Sequence, residues 1–509
     1  MIRNDSYARL QRRAFSIARD SPIWYIINDL RHTVWGLFWK VYEEYHMATL
    51  LVNGRVFMGR KFVPADILLE GGSAFVVDRG SAPGTTDIDE VVDLSDKDIL
   101  PGFADVHVHF REPGFSYKET IRTGSEAAAH GGYTCVCPMP NIVPVPKDFD
   151  SLKTELDIIK RDACIDVIPY GAITVKQDGR SELSDMEGMA PYVCAFSDDG
   201  RGIQTGGLMR DAMQLAKSLG KLIVAHCEDE SLLEPGGCIH AGSFADASGL
   251  TGISSASEWK QVERDVNLCY ETGCGYHVCH VSTKESVEII REAKQSGVNV
   301  TCETAPHYLV LTQDDVAEYC RGGEPADSGR FKMNPPLRDR ADRDALREAV
   351  FDGTVDMIAT DHAPHSAEEK SHGLEKSPFG IVGLETAFPV LKTRLADTGL
   401  LPYERLIECI TSAPRKRFGL PGAEMLEGGS FRALYSETAG GGCEGNVGYK
   451  DAVEGRRMLF SDITVVDPEA EYAIDPDDFW TMGRATPFEG DPVKGRVIMT
   501  IHKGKIVSR

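Results

Sequence analysis

The pattern of apolar and polar positions changes character twice along the 509-residue chain. From Leu50 to Val92, short alternating stretches are separated by glycine-bearing turns: TLLVNGRVF, DILLEGG and SAFVVDRG. Successive side chains of a strand point to opposite faces, so alternation of this kind predicts antiparallel strands with one covered face. After Pro101 the rhythm becomes short, almost continuous apolar runs: ILPGFADVH, YTCVCPMP, IDVIPYGAI, YVCAFSDDG, KLIVAHCED, YHVCHVST, VNVTCETAPH and DMIATDHAPH. Between them lie segments such as KETIRTGSEAAAHGG, RDAMQLAKSLG and TKESVEIIREAKQSG, whose apolar residues recur at three and four and which end near a glycine, as helices do. Near-continuous apolar strands suit a parallel sheet buried on both faces. Beyond residue 420 alternation returns in SDITVVDP and GRVIMTIHKGKIVSR.

About eight strand–helix units match the count of a TIM-type barrel. The expected fold class is therefore α/β, a TIM-type (β/α)8 barrel with a small discontinuous β-sandwich domain. The barrel is expected over residues 101–420, and the sandwich over 47–100 and 421–509. A glycine-rich stretch at about 436–457, without apolar period, is expected to be a mobile surface insertion. Residues 1–46 are rich in arginine and aromatics and precede MATLLVNGRVF; they are read as an accessory extension or a non-native leader from an upstream start.

Composition narrows the partners. A net charge of -23 argues against non-specific binding to nucleic acid or anionic membranes, and obliges any anionic substrate to be held by locally placed cations. The nearest approach to a membrane span, WYIINDLRHTVWGLFWK, is interrupted by Asp29, Arg31 and His32. The 13 cysteines are odd in number, lie mostly in apolar runs and form no CxxC pair, which predicts free thiols in a reducing, cytoplasmic setting.

The chemistry gathers where the apolar runs end. In PGFADVHVHFREPG, His107 and His109 are two apart on a predicted strand, so both imidazoles face the same way, roughly 6–7 Å apart along the chain, with Arg111 just beyond. Two neutral imidazoles converging on one point suit a divalent metal of the zinc type. Other strand ends present Asp198 and Asp199, His226, His280 with His277 as an alternative, and Asp361, His362 and His365. Singly, a strand-end histidine is more often a hydrogen-bonded structural residue, and Asp-Asp before glycine is usually a turn. In barrel order and at successive strand ends, together they predict a metal site able to hold two divalent ions bridged by a carboxylate.

Eight spaced motifs carry a family resemblance: DVHVHFREPGFSYKE, CPMPN, FSDDG, VAHCED, HVCHVSTKES, KMNPPLR, ATDHAPH and SPFGIVGLETAFP. From about Met47 to the C-terminus, outside the glycine-rich insertion, the chain resembles the cyclic amidohydrolases and, within them, class I dihydroorotases. The resemblance implies reversible zinc-dependent hydrolysis of dihydroorotate to N-carbamoyl-aspartate in pyrimidine biosynthesis, with two Zn2+ per subunit. His107 and His109 would hold one ion, His226 and His280 the other, and Asp199 would bridge them. Asp361 would be both a ligand and the proton shuttle. YVCAFSDDG contains no lysine, which supports aspartate over the carboxylated lysine of many relatives.

By the same resemblance Arg111 grips the substrate carboxylate with Asn141 and His365, while Asn334 and the Phe379–Gly380 backbone contact the pyrimidine ring. A guanidinium matches a carboxylate with two parallel hydrogen bonds. The competing reading of Arg111 is a solvated salt bridge to Glu112 or Glu119. Lys118 and Lys176 are expected on the surface. Family likeness also implies a small-molecule substrate, a homo-oligomer and an association with aspartate transcarbamoylase. The rival activities are those of a dihydropyrimidinase, hydantoinase or allantoinase, which do not require Arg111. A non-catalytic scaffold is a further alternative, although every matched ligand position is filled.

Overall fold

The computed structural model describes residues 48–77, 88–323, 325–422, 457–459 and 462–509. The N-terminal extension expected at 1–46 lies outside these residues, as does all but the last residue of the glycine-rich insertion.

Two sheets are built from the two ends of the chain. One has the order Arg457–Leu459, Ser73–Val77, Asp66–Glu70, Thr49–Val52, Glu90–Asp93. The other runs Lys505–Ser508, Pro492–His502, Ile463–Ala473, Asp98–Pro101, Arg55–Phe57, Phe62–Pro64. The alternation read from the sequence is visible in Thr49–Val52, where Thr49 and Leu51 are buried and Leu50 and Val52 half-buried. One apolar cluster draws on both sheets, with Leu51, Ile67 and Leu69 from the first and Ile99, Val465 and Ile501 from the second. Residues separated by more than 350 positions thus share a core.

Between these ends the chain forms an α/β body of parallel strands. Phe103–Val108, Tyr133–Pro138 and Asp166–Val167 pair in one sheet. Gly171–Ala172, Phe196–Ser197, Leu222–Ala225, Gly275–Val278, Val300–Thr304 and Met357–Ile358 pair in another. Val108 bridges His362 in parallel, and His109 donates its N–H to the His362 carbonyl at 2.8 Å, so the first and last strand ends meet. Helices Ile121–His130, Gly206–Ser218 and Lys284–Gln295 fall where the three-and-four spacing predicts them. Thr120, Thr205 and Thr283 each accept a hydrogen bond from an otherwise orphaned backbone N–H of the first helical turn.

The run ILPGFADVH proves to be two strands. At Gly102 the chain changes partner: its N–H donates to the Asp462 carbonyl at 3.0 Å, whereas Phe103 N–H donates to Gly132 at 3.0 Å. A Cβ at Gly102 would collide with the Thr134 side chain, so the switch requires glycine. Buried Arg415 secures the joint, donating from Nη1 to the Gly102 carbonyl at 2.6 Å and from Nη2 to Thr134 Oγ1 at 2.8 Å. Thr500 reaches from the C-terminal sheet to the Ala129 carbonyl at 2.6 Å. The end-built sheets are thereby fastened to the first strand–helix unit, whose strand carries the histidine pair. Among the described residues no helix is long and apolar enough to cross a membrane. All twelve described cysteines are free and ten are buried, as their place in apolar runs predicts.

Candidate metal centre and substrate cleft

Parallel strands deliver their C-terminal ends to one side, and five of them place a polar residue there. His107 lies within Phe103–Val108 and His109 just past it; Asp199 follows Phe196–Ser197; His226 follows Leu222–Ala225; His280 follows Gly275–Val278; Asp361 follows Met357–Ile358. All six side chains are buried and converge. His107 Nε2 stands 3.4 Å from Asp199 Oδ1 and 3.5 Å from Asp361 Oδ1. His109 Nε2 stands 3.2 Å from Asp361 Oδ1 and 3.6 Å from Asp199 Oδ2. His226 Nδ1 and His280 Nε2 are 2.9 Å apart, at 3.9 and 3.7 Å from Asp199 Oδ1. Asp199 therefore belongs to two triads at once, His107–His109–Asp199 and Asp199–His226–His280.

The donor set fits divalent cations. His107 Nε2 and Asp199 Oδ1 are buried without a hydrogen-bond partner, a costly condition for polar atoms unless another group uses them. Burial opposes ionisation of Asp199, yet the neighbouring His107 and His280 imidazoles hold its carboxyl well below the usual range. Asp361 is likewise depressed against burial by His107 and His109. Arg111, His280 and Asp361 have φ of +58°, +32° and +49°. Left-handed backbone at non-glycine residues costs on the order of 1–3 kcal/mol each and collects at functional sites, where the surrounding fold over-determines it.

The structure separates the paired candidates. Asp198 turns away from the histidines: Oδ1 accepts from the N–H groups of Ile173 and Thr174 at 2.7 and 3.0 Å, and Oδ2 from Gly179 N–H at 3.1 Å. It organises a loop, which leaves Asp199 alone in the cluster. His277 lies one layer below, against Thr301 Oγ1 at 2.8 Å and Glu303 Oε2 at 3.1 Å. His362 is fully buried, its Nδ1 accepting from Gly383 N–H at 3.2 Å.

Two carboxylates that sequence reasoning passed over support the cluster from below. Glu303 Oε1 lies 2.7 Å from His107 Nδ1, and the hydrogen bonds from His107 and His277 bring its carboxyl down to about 2 against the effect of burial. Such a contact fixes the tautomer and leaves Nε2 free to face the cluster. Asp105 accepts from the backbone N–H of His107 at 2.9 Å and of Thr360 at 3.1 Å, tying the strand of the histidine pair to the one ending in Asp361. Burial lifts Asp105 to about 7. Asp105 stood inside a quoted motif and Glu303 inside the quoted run VNVTCETAPH; nothing in strand spacing distinguishes a supporting carboxylate from a ligand.

A cleft of about 340 Å3 adjoins the cluster, lined by Arg111, Phe115, Lys118, Asn141, Gln177 and Asp199 among others. Arg111 makes no ion pair with Glu112 or Glu119. Glu112 instead accepts from Ile121 N–H at 2.9 Å, and the buried Glu119 receives the Thr481 hydroxyl. Arg111 Nε donates to the Pro364 carbonyl at 3.3 Å and its Nη2 lies 3.5 Å from His365 Nε2. Asn141 donates to the Asp199 carbonyl at 2.7 Å, with its Oδ1 left buried and unpaired. Asn334 donates to Glu228 Oε1 at 3.1 Å, and Glu228 Oε2 lies 3.6 Å from His226.

His365 Nε2 donates to the Phe379 carbonyl at 2.8 Å. Gly380, at φ +132°, could carry no side chain without meeting the Ala363 carbonyl at 2.6 Å. Lys370 Nζ is buried and donates to three carbonyls, those of Lys332, Pro378 and Gly380, at 3.0, 2.9 and 2.7 Å, which pins the Phe379–Gly380 segment from behind. Burial pushes its ammonium down to about 7. Lys176 is exposed as expected, but the surface expectation for Lys118 is wrong: Nζ is 3.0 Å from His365 Nδ1 and 2.9 Å from Glu369 Oε1, at the cleft wall. Its placement depends on a loop folding back, which periodicity does not encode.

Comparison with known proteins adds relatives to this geometry. A family model described as "Dihydro-orotase-like" matches residues 96–286. The chain is 43% identical over 457 residues to the dihydroorotase of Fusobacterium nucleatum, covering 90% of this chain and 97% of that protein. It is 44% identical over 462 residues to the dihydroorotase of Bacillus cereus, covering 90% and 98%. Among solved structures, the dihydropyrimidinase of Brevibacillus agri superposes with a TM-score of 0.72 at 23% identity, covering 91% of this chain and 95% of that one. The L-hydantoinase of Arthrobacter aurescens gives 0.72 at 24% identity, covering 91% and 96%. At that identity the structural likeness speaks to the fold.

Proposed function

Because the chain belongs to the dihydroorotase family, we propose that it catalyses the reversible hydrolysis of dihydroorotate to N-carbamoyl-aspartate, a step of pyrimidine biosynthesis. The observation that carries the assignment to these residues is the double triad sharing Asp199 beside a cleft walled by Arg111. We read the two parallel sheets as arcs of a single (β/α)8 barrel over about residues 101–420. Two contacts support this: the Val108–His362 bridge, and Asp166–Ala172, whose ends pair with different sheets. The sheets at 47–100 and 421–509 are read as one discontinuous β-sandwich, on the strength of their shared core.

His107, His109, Asp199, His226, His280 and Asp361 would hold two Zn2+ ions, a nitrogen and oxygen set that suits zinc. Such ions, when bound, lower the pKa of water toward about 7 and polarise a carbonyl oxygen. Around that chemistry the chain's own groups have defined tasks. Asp361, a carboxylate among histidines, accepts the proton of the attacking water and delivers it to the departing ring nitrogen. In ring closure it removes the proton from the ureido nitrogen. Arg111, Asn141 and His365 hold the ring carboxylate at the cleft, which sets the scissile amide over the histidine cluster. Asn334 and the Phe379–Gly380 backbone bound the pyrimidine ring. Glu303 and Asp105 keep His107 in its tautomer and place.

We further propose a cytoplasmic homo-oligomer that associates with aspartate transcarbamoylase; the unpaired thiols support the reducing compartment. The deciding assay is turnover of dihydroorotate against dihydrouracil and allantoin by metal-replete protein. Dihydroorotate is expected to be preferred strongly, and comparable rates on the neutral substrates would refute the reading. Arg111→Met is expected to lower kcat/KM for dihydroorotate by about 10²-fold or more, the value of a charge-assisted pair. An equal loss on a neutral hydantoin would argue against the carboxylate clamp.

A further inference from the structure

We propose that Thr481, on the segment that follows Pro476–Asp478, is a positioning residue whose hydroxyl fixes His362 and, through it, the backbone beside both Asp361 and His109. The proposal rests on the reading of Asp361 above as ligand and proton shuttle, and deepens it. His362 is the residue at which the first and last strand ends join. It bridges Val108 on one side and Ile381 on the other, and its carbonyl accepts from His109 N–H at 2.8 Å. Its own N–H donates to Thr360 Oγ1 at 3.1 Å. Whatever holds this side chain therefore sets two peptides that carry proposed ligands.

The side chain is held from two directions, and each hydrogen can be placed. A backbone N–H only donates, so Nδ1 is the acceptor from Gly383 at 3.2 Å and the ring hydrogen sits on Nε2. Nε2 lies 3.4 Å from Thr481 Oγ1. The Thr481 hydroxyl spends its one hydrogen on the Glu119 carboxylate, which leaves lone pairs for His362. Glu119 Oε2 is 3.7 Å from Nε2, beyond a hydrogen bond, so the hydroxyl relays the contact. All three side chains are buried.

The segment bearing Thr481 is itself fixed. Trp480 and Thr481 N–H groups donate to Glu385 at 2.9 and 3.2 Å, and the Ala485 carbonyl accepts from Val382 N–H at 3.0 Å. Gly483 passes so close that a Cβ would meet Val382 Cγ1 at 2.7 Å and Pro364 Cβ at 2.9 Å. The segment is thus fitted under the loop that follows Asp361. Without the hydroxyl, a buried Nε2–H lacks its acceptor, a cost relieved when the ring shifts toward Glu119. That shift moves the His362 peptide and with it Asp361, whose φ of +49° already depends on its surroundings.

The test uses the full-length protein and two variants. Thr481→Val keeps the shape and removes the hydroxyl, whereas Thr481→Ser keeps the hydroxyl and removes a methyl group. Thr481→Val is expected to lower kcat for dihydroorotate about tenfold with KM nearly unchanged, since the residues of the carboxylate clamp make no bond to His362. Zinc affinity, from competition with a chromophoric chelator, is expected to fall about tenfold as well, the lower end of what a residue supporting a ligand contributes. Thr481→Ser is expected to keep both close to wild type. A residue that only filled space would rank the variants the other way. If Thr481→Val does not fold, Thr481→Cys, whose thiol bonds weakly, is expected to show the same losses in smaller measure. Wild-type kcat and zinc affinity in Thr481→Val, or a Thr481→Ser variant no better than Thr481→Val, would overturn the proposal. Failure of wild-type protein to turn over dihydroorotate would instead overturn the functional reading, since zinc affinity tests Thr481 without catalysis.

Discussion

Asp361 shows how much a single residue is asked to do. Its backbone is held at φ +49°, its carboxylate stays ionised among histidines, and it stands 3.2 Å from His109 Nε2. Asp361→Asn keeps the shape and removes the proposed proton acceptor, so kcat is expected to fall by about 10²–10⁴-fold while the folded protein retains most of its metal. Near-normal turnover would remove Asp361 from the proton path. His365 offers a different measurement. Its folded pKa of about 2 lies below the unfolded value near 6.5, so the fold favours the neutral ring. The associated stability is fully present above about pH 6.5 and is lost as pH falls from there toward 2. Between pH 7 and pH 5, wild type is expected to lose about 2 kcal/mol more unfolding free energy than His365→Gln, read from urea titrations. Equal losses would show that the imidazole is not held neutral.

At the scale of elements, the useful unit is the end of a parallel strand. Several strands are only two residues long, yet each delivers its polar residue accurately because the backbone beyond it is anchored. Asp198 fastens the turn that carries Asp199, and Asp105 ties His107 to Thr360. Glu303, at the end of Val300–Thr304, serves the strands of His107 and His277 rather than its own. Glu303→Ala should therefore weaken metal affinity by about 10–100-fold, with a smaller loss of kcat once zinc is saturating. Competition with a chromophoric chelator measures this, and unchanged affinity would make Glu303 a packing residue. Sequence reasoning identified these strands by their apolar runs but overestimated their length, because burial extends past the last ladder hydrogen bond. It also joined Asp98–Pro101 to Phe103–Val108, since nothing in the apolar pattern marks the exchange of partners at Gly102.

For the molecule as a whole, the candidate site is a long-range assembly whose proposed ligands span His107 to Asp361. Metal bound only by the folded chain stabilises it by mass action. Chelation is thus expected to abolish turnover and lower Tm, and added Zn2+ to restore both; full activity after rigorous metal removal would end the metal reading. The C-terminal strands return to the histidine-bearing unit through Arg415, Thr500 and the Thr481–Glu119 contact, so the chain's last segment braces the site from behind.

What could be read without coordinates was whatever repeats or is local. The change of period at Pro101 and again after residue 420, the helices between apolar runs, and the candidate ligands at the run ends all follow from chemistry within a few residues. The family resemblance had already put Asp199 before Asp198 and His280 before His277, whereas packing alone turned Lys118 inward and recruited Glu303 and Asp105. Each of those choices depends on which carbonyl, amide or imidazole from a distant segment arrives within hydrogen-bond reach. Such proximity is a property of the folded chain, and spacing along the sequence carries no record of it.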